Sequence, residues 1–170
     1  MVILGIDPGL AIVGYGIIEY KNSAFTTIAY GSIQTPAHTP VENRIYTIYS
    51  DLNRIIEMYR PTDMAVEELF FNTNQKTVIT VAEARGVILL CAKQKGISIY
   101  EYTPLQVKQA VVGYGRAEKK QIIEMTKMIL GLKETPKPDD TADALAMAIT
   151  FCHTNGNQLN RFARRGVGPI

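Results

Sequence analysis

Residues 1–10 read MVILGIDPGL. An apolar run, Val2-Ile3-Leu4, passes through Gly5 and Ile6 and meets a carboxylate, Asp7, before Pro8-Gly9. A short apolar run bounded by a turn signal predicts a buried strand over residues 2–7. Two roles are open to the acid that ends it. Asp7 can open an Asp-Pro-Gly turn, where aspartate is common, or it can be a functional carboxylate held on a rigid element.

Outward from this strand, IVGYGIIEY (12–20) and AFTTIAYGSIQ (24–34) are rich in β-branched and aromatic residues, and Lys21-Asn22-Ser23 between them predicts a hairpin. Val41, Ile45, Ile48, Leu52, Ile55 and Tyr59 then form one helical stripe ending before Pro61. DMAVE (63–67) is a short strand, and Glu67 to Asn74 a loop. A second long helix carries Val78, Val81, Arg85, Ile88, Leu89 and Ala92 to a stop at Gly96. Ile97 to Tyr102 is a strand, Thr103-Pro104 opens a short helix to about Val112, and Gly113-Tyr114-Gly115 breaks the chain. Ala117 to Leu130 is helical, Pro136-Lys137-Pro138 is a stiff connector, and Asp139 or Asp140 opens a last helix. This order predicts an α/β fold with a mixed sheet, antiparallel hairpin strands first and then strands alternating with helices, flanked by helices. Residues 1–153 are expected to form a single domain. Residues 154–170 lack periodicity and are expected to be a flexible basic tail.

With 170 residues, 46% of them hydrophobic and 20% charged, the chain has the composition of a globular protein. No apolar stretch approaches the ~20 residues of a membrane span, and no leader pattern opens the chain, so the expected location is cytoplasmic. Cys91 and Cys152 lie in apolar helical contexts without CxxC spacing and read as buried reduced thiols. His38 and His153 are too few and too scattered for a zinc site. Net charge is only +2, but Lys108, Arg116, Lys119, Lys120, Lys127 and Lys133, with Arg161, Arg164 and Arg165, load the C-terminal half with positive charge. That distribution suits a polyanion partner on one face, or ordinary solvated helices.

The acids are the more informative feature. Asp7 ends the first strand, Glu67 ends the strand after the first long helix, and Asp140 and Asp143 are three apart on one helix face. Asp139, Asp140 and Thr141 also read as capping and first-turn residues, and Glu67 as a surface acid. Asp143 has no such role inside an Ala/Leu/Met-rich helix. If the four converge, their repulsion requires positive charge among them. All-oxygen ligands favour Mg²⁺ or Mn²⁺. Such a cluster suits two metals roughly 4 Å apart acting on a phosphodiester.

Six blocks carry a resemblance: Ile3-Leu4-Gly5-Ile6-Asp7-Pro8-Gly9; Gly14-Tyr15-Gly16; Ala65-Val66-Glu67 with Phe70; Gln106-Val107-Lys108-Gln109 with Val111-Val112-Gly113; Ala117-Glu118-Lys119; and Asp140-Thr141-Ala142-Asp143-Ala144-Leu145-Ala146. In order and spacing they resemble the RuvC family of Holliday-junction resolvases, over residues 1 to about 153. The resemblance implies a ribonuclease H-like fold and a homodimer that binds four-way DNA junctions. It implies two opposed nicks leaving 5′-phosphate and 3′-hydroxyl ends, a requirement for two Mg²⁺ or Mn²⁺ ions, and work beside the RuvA–RuvB branch-migration complex in recombination and repair. It puts the catalytic acids on Asp7, Glu67, Asp140 and Asp143, a junction-contacting aromatic on Phe70, and DNA-contacting lysines on Lys108 and Lys119. Asp139 and Glu68 are extra acids beside the motifs.

On that reading Phe70 wedges or stacks at the open centre of a junction, where stacking contributes ~1–3 kcal/mol; the alternative is that Phe70-Phe71 covers the core. Lys108, Arg116, Lys119 and Lys120 supply phosphate contacts. The second long helix, with Ile79, Val87 and Leu90 off its main stripe, is expected to face the partner copy. Among the rivals, actin-like kinases also begin with a strand ending in Asp-x-Gly, but they need a second lobe and phosphate loops for which no GxGxxG or Walker segment exists here. A purely DNA-binding dimer is disfavoured by four acids facing a polyanion. A related nuclease on RNA or other branched substrates stays open.

Overall fold

The computed structural model describes the backbone of residues 1–68 and 75–165, and the side chains of residues 1–68 and 78–155. Among the described residues, five strands and five helices follow one another as β1 (Val2–Asp7), β2 (Ile12–Lys21), β3 (Ala24–Gln34), α1 (Val41–Tyr59), β4 (Asp63–Glu67), α2 (Gln75–Gln94), β5 (Ser98–Tyr102), α3 (Pro104–Val112), α4 (Lys119–Ile129) and α5 (Asp139–Arg165). They form one sheet in the order β3-β2-β1-β4-β5. The β1–β2 and β2–β3 pairs are antiparallel, and β1–β4 and β4–β5 are parallel. The mixed sheet is the one that the sequence predicts. Asn22 and Ser23 carry the hairpin turn with φ of 52° and 63°, the left-handed pair that matches strand twist.

The parity of β1 decides where the first acid points. Leu4 and Ile6 pack into a core with α1 and α2, whereas Ile3 packs on the opposite face with α5. Alternation therefore sends Gly5 and Asp7 toward α5. In β4, Met64 and Val66 face the first core and Ala65 the second, so Glu67 also points to the α5 side. Both strands end on that face, and their ladder stops at Ile6–Val66.

Helix α5 lies close on this face because three facing residues have no side chain. A Cβ at Gly5 would strike the Ala144 carbonyl, and one at Gly14 would strike the Asp140 carbonyl. At Gly16 it would come within 2.6 Å of the Leu145 Cδ2. Gly14 is the β2 partner of Asp7, so the same register that aligns the hairpin seats the start of α5 beside the end of β1. Leu145, Ala148, Ile149, Phe151 and Cys152 are fully buried beneath it.

The stripe of α1 holds at Ile48 and Leu52, which are buried, and shifts only at its end, where Ile56 is buried and Ile55 and Tyr59 pack beside it. A larger difference concerns the end of the chain. The expected tail from residue 154 begins as helix, because α5 continues through Arg165. Helical hydrogen bonding does not require an apolar stripe, and Thr154 and Asn155 are tied to the hydroxyl of Tyr102 at 3.0 and 2.6 Å. Phe70, Phe71 and the rest of 69–74, together with 166–170 and the side chains of Arg161, Arg164 and Arg165, lie outside the described residues.

Candidate active site

A cleft of about 230 Å³ opens at the carboxyl ends of β1 and β4. Asp7, Glu67 and Asp143 line it from one side. Pro104, Val107 and Lys108 of α3, Lys119 and Ile122 of α4, and Met147 of α5 complete the wall. The helices that close the cleft begin in fixed geometry. Helix α3 starts in a capping box of Thr103 with Gln106, and α4 in one of Glu118 with Gln121. In the first, the Gln106 amide donates to the Thr103 hydroxyl and the Thr103 amide to the Gln106 side chain; in the second, the Glu118 amide donates to the Gln121 side chain at 2.8 Å.

Of the four acids expected to converge, Asp7, Glu67 and Asp143 line one cleft and Asp140 does not. Burial pushes the Asp7 carboxyl up from 3.8 to about 8, with the charges of Asp143, Glu67 and Asp140 adding to the rise and Lys119 opposing it. Burial also raises Glu67, reinforced by Asp143 and opposed by Lys119. Asp140 does not line the cleft itself, although its charge reaches Asp7. Asp143 is raised by burial while its hydrogen bond from Lys119 holds it down. The electrostatics are thus those of several carboxylates confined together, short of positive charge.

The ammonium group of Lys119 sits beside Asp143. The Lys119 Nζ lies 2.9 Å from Asp143 Oδ2 and 3.7 Å from Asp139 Oδ2. Burial lowers Lys119, but the hydrogen bond and charge of Asp143, with Asp139 and Asp7, outweigh it and raise its pKa. Expected as a DNA contact, Lys119 is here the counter-ion of a catalytic candidate, a pairing that sequence spacing gives no sign of. Lys108 lines the cleft as a phosphate contact would. Arg116 is exposed and outside the cleft lining, and Phe70 lies outside the described residues.

The donor set fits a hard divalent cation. It consists of carboxylate oxygens, it is deficient in positive charge, and it already attracts an ammonium group. Among the described residues no three acidic, His or Cys side chains form a closed metal cage as they stand, and Asp143 is paired with the Lys119 ammonium. His153 is elsewhere, with Nδ1 2.8 Å from the Ala110 carbonyl oxygen. Cys91 and Cys152 are buried. Glu68 is exposed, its backbone amide donating to the Tyr102 carbonyl at 2.9 Å.

Arg85 was not among the expected site residues, since its spacing reads as part of the apolar stripe of α2. Its side chain is only 12% exposed and touches the end of β4, with Nε 3.2 Å from the Glu67 carbonyl oxygen.

Residues 3–153 match the sequence profile of a family described as crossover junction endodeoxyribonuclease RuvC. The crossover junction endodeoxyribonuclease RuvC of Caldanaerobacter subterraneus subsp. tengcongensis is 58% identical over 168 residues, covering 99% of each chain. That of Clostridioides difficile is 56% identical over 161 residues, covering 95% of this chain and 94% of its own. The structure of Thermus thermophilus RuvC in complex with a Holliday junction substrate superposes with a TM-score of 0.85 at 35% identity, covering 98% of this chain and 96% of its own. The yeast mitochondrial Holliday junction resolvase Ydc2, at 14% identity and a TM-score of 0.65, shares the fold. With a ribonuclease H-like mixed sheet, acids at the ends of β1 and β4 and the start of α5, and this similarity over nearly its whole length, the chain belongs to the RuvC family of crossover junction endodeoxyribonucleases.

Proposed function

We propose that this chain resolves four-way DNA junctions by cutting two opposed strands at symmetric positions, leaving 5′-phosphate and 3′-hydroxyl ends. The observation that carries the reading is the gathering of acids from β1, β4 and α5 in one charge-deficient cleft flanked by Lys108 and Lys119. Asp7, Glu67, Asp140 and Asp143 would hold two Mg²⁺ ions, for which Mn²⁺ can substitute. When bound, such ions activate water and stabilise the leaving oxygen of a phosphodiester.

The chain's own residues do the rest. Asp7 and Glu67 are held on strand ends, where backbone hydrogen bonding limits their drift. Lys119 leaves Asp143 and turns to the phosphate, placing a cation where charge develops. Lys108 and Arg116 bind backbone phosphates, with the basic residues of 154–170 adding long-range attraction. The apolar wall of Pro104, Val107, Ile122 and Met147 keeps part of the cleft dry. Phe70 wedges at the unpaired centre, which favours junctions over linear duplex because the bases are already unstacked there.

The active unit is a homodimer that presents two such clefts to opposed strands. Helix α2 exposes Ile79 and Leu90, at 62% and 53%, as its partner face. RuvA–RuvB would supply the mobile junction. Among the described residues no helix is long and apolar enough to cross a membrane, and the reading places the chain in the cytoplasm.

The test is cleavage of a mobile four-way junction beside a linear duplex of the same sequence, with Mg²⁺, with EDTA, and by Asp7→Asn. Paired symmetric nicks on the junction alone, abolished by EDTA and by the substitution, are expected. Junction binding without nicking by the wild-type protein would overturn the reading.

A further inference from the structure

The carbonyl of Glu67 poses a hydrogen-bonding problem. The Glu68 amide donates to Tyr102 on β5 at 2.9 Å. In a trans peptide the carbonyl of the same unit points the opposite way, so the Glu67 carbonyl faces β1. The β1–β4 register ends at Ile6–Val66. Continued by two residues, it would offer the amide of residue 8 to that carbonyl, but residue 8 is proline and has no N–H. The proline of the Asp-Pro-Gly segment thus lets Asp7 and Glu67 part into a cleft while leaving an acceptor without its ladder partner.

Arg85 fills that vacancy. Its Nε donates to the Glu67 carbonyl at 3.2 Å, and its Nη2 lies 2.7 Å from Glu101 Oε2 on β5. The Nη2 contact is one of charge, since its angle falls outside hydrogen-bond geometry. A guanidinium this buried, among Ala84 and Ile88, is costly unless its partners are held in place. Those partners are the last residue of β4 and the β5 residue opposite Val66. The planar fork joins α2, β4 and β5 at the base of one carboxylate, a geometry that a lysine would match at only one point.

We infer that Arg85 is a positioning residue for Glu67, setting the direction of its carboxylate in place of the missing Pro8 donor. The inference rests on the reading of Glu67 as a metal ligand. Outer partners of metal ligands change affinity or activity by about 10–100-fold when removed.

The test compares wild type with Arg85→Met, Arg85→Lys and Glu101→Gln as full-length proteins. The readouts are Mn²⁺ affinity by calorimetry without DNA, the Mg²⁺ concentration for half-maximal junction cleavage, junction binding in EDTA, and oligomeric state by sedimentation. For Arg85→Met we expect Mn²⁺ affinity to fall by about 10–100-fold, the Mg²⁺ requirement to rise in parallel, and junction binding and sedimentation to be unchanged. Arg85→Lys should recover part of the loss. Glu101→Gln, which keeps the carbonyl bond, should lose less than Arg85→Met. Mn²⁺ affinity equal to wild type in a folded Arg85→Met overturns the inference, as does a loss that follows a change in oligomeric state. Should Arg85→Met not fold, wild-type affinity in both other variants overturns it. Wild-type protein that binds Mn²⁺ without cutting junctions would defeat the functional reading and leave the affinity comparison standing.

Discussion

Replacing Asp7 with asparagine should abolish cleavage and yet stabilise the metal-free protein. The folded environment raises the Asp7 carboxyl from 3.8 to about 8, first by burial and then by Asp143, Glu67 and Asp140. A carboxyl whose folded pKa lies above its unfolded value keeps its proton more readily when folded. Stability therefore falls as pH rises through the window from 3.8 to about 8. Each pH unit inside that window is worth about 1.4 kcal/mol, so at neutral pH the ceiling is about 4 kcal/mol. The cleft is open, and water entry with small shifts of Lys119 will relieve part of the strain. The expected gain for Asp7→Asn at pH 7 in EDTA is about 2 kcal/mol, or roughly 4–8 °C in Tm for a chain of this size. The gain should shrink toward zero near pH 4, where wild-type Asp7 is protonated folded and unfolded alike. Saturating Mg²⁺ should reverse the order, since a ligand stabilises the state that binds it. The assay is denaturant unfolding of both proteins across pH 4–8, with EDTA and with Mg²⁺. An Asp7→Asn protein less stable than wild type at pH 7 in EDTA, or a gain independent of pH, would refute the reasoning.

Gly14→Ala puts a Cβ against the Asp140 carbonyl; overpacking of this kind costs about 1–3 kcal/mol, visible in denaturant unfolding, and should cut cleavage by displacing the start of α5. Unchanged stability would show that α5 is not seated there. Lys119→Gln removes the counter-ion of Asp143 and the expected phosphate contact. Single-turnover cleavage should fall by about 100-fold with a much smaller loss of junction affinity in EDTA, whereas equal losses would assign Lys119 to binding alone. Burial pushes the Cys91 and Cys152 thiols up to about 11 and about 12, so neither should react with a thiol reagent at pH 8 until the protein unfolds. Rapid labelling of the native protein would contradict their burial.

Much of this was legible in the chain because it depends on near neighbours. The positive-φ hairpin residues, the Thr103-Pro104 start of α3 and the Gly96 stop of α2 at φ 72° are local chemistry, and each lies where the sequence puts it. The acids ending β1 and β4 were recognisable because each directly follows an apolar run, whereas the face they point to follows from the packing on either side of the sheet. Arg85 shows the limit. Its helical spacing groups it with Val81 and Ile88, and nothing within α2 distinguishes a core position from one beneath the end of a strand.

The sequence by itself determined the order of elements, the mixed sheet, the family blocks and the four acids, since periodicity and turn chemistry act over a few residues. Only the tertiary structure decided that Lys119 pairs with Asp143, that Asp143 lines the cleft while Asp140 does not, and that glycines of β1 and β2 set the depth of α5. It also extended α5 beyond the apolar stripe to Arg165. These features depend on sheet register and on distances between residues as far apart as Gly14 and Asp140, and no local pattern encodes a separation through space.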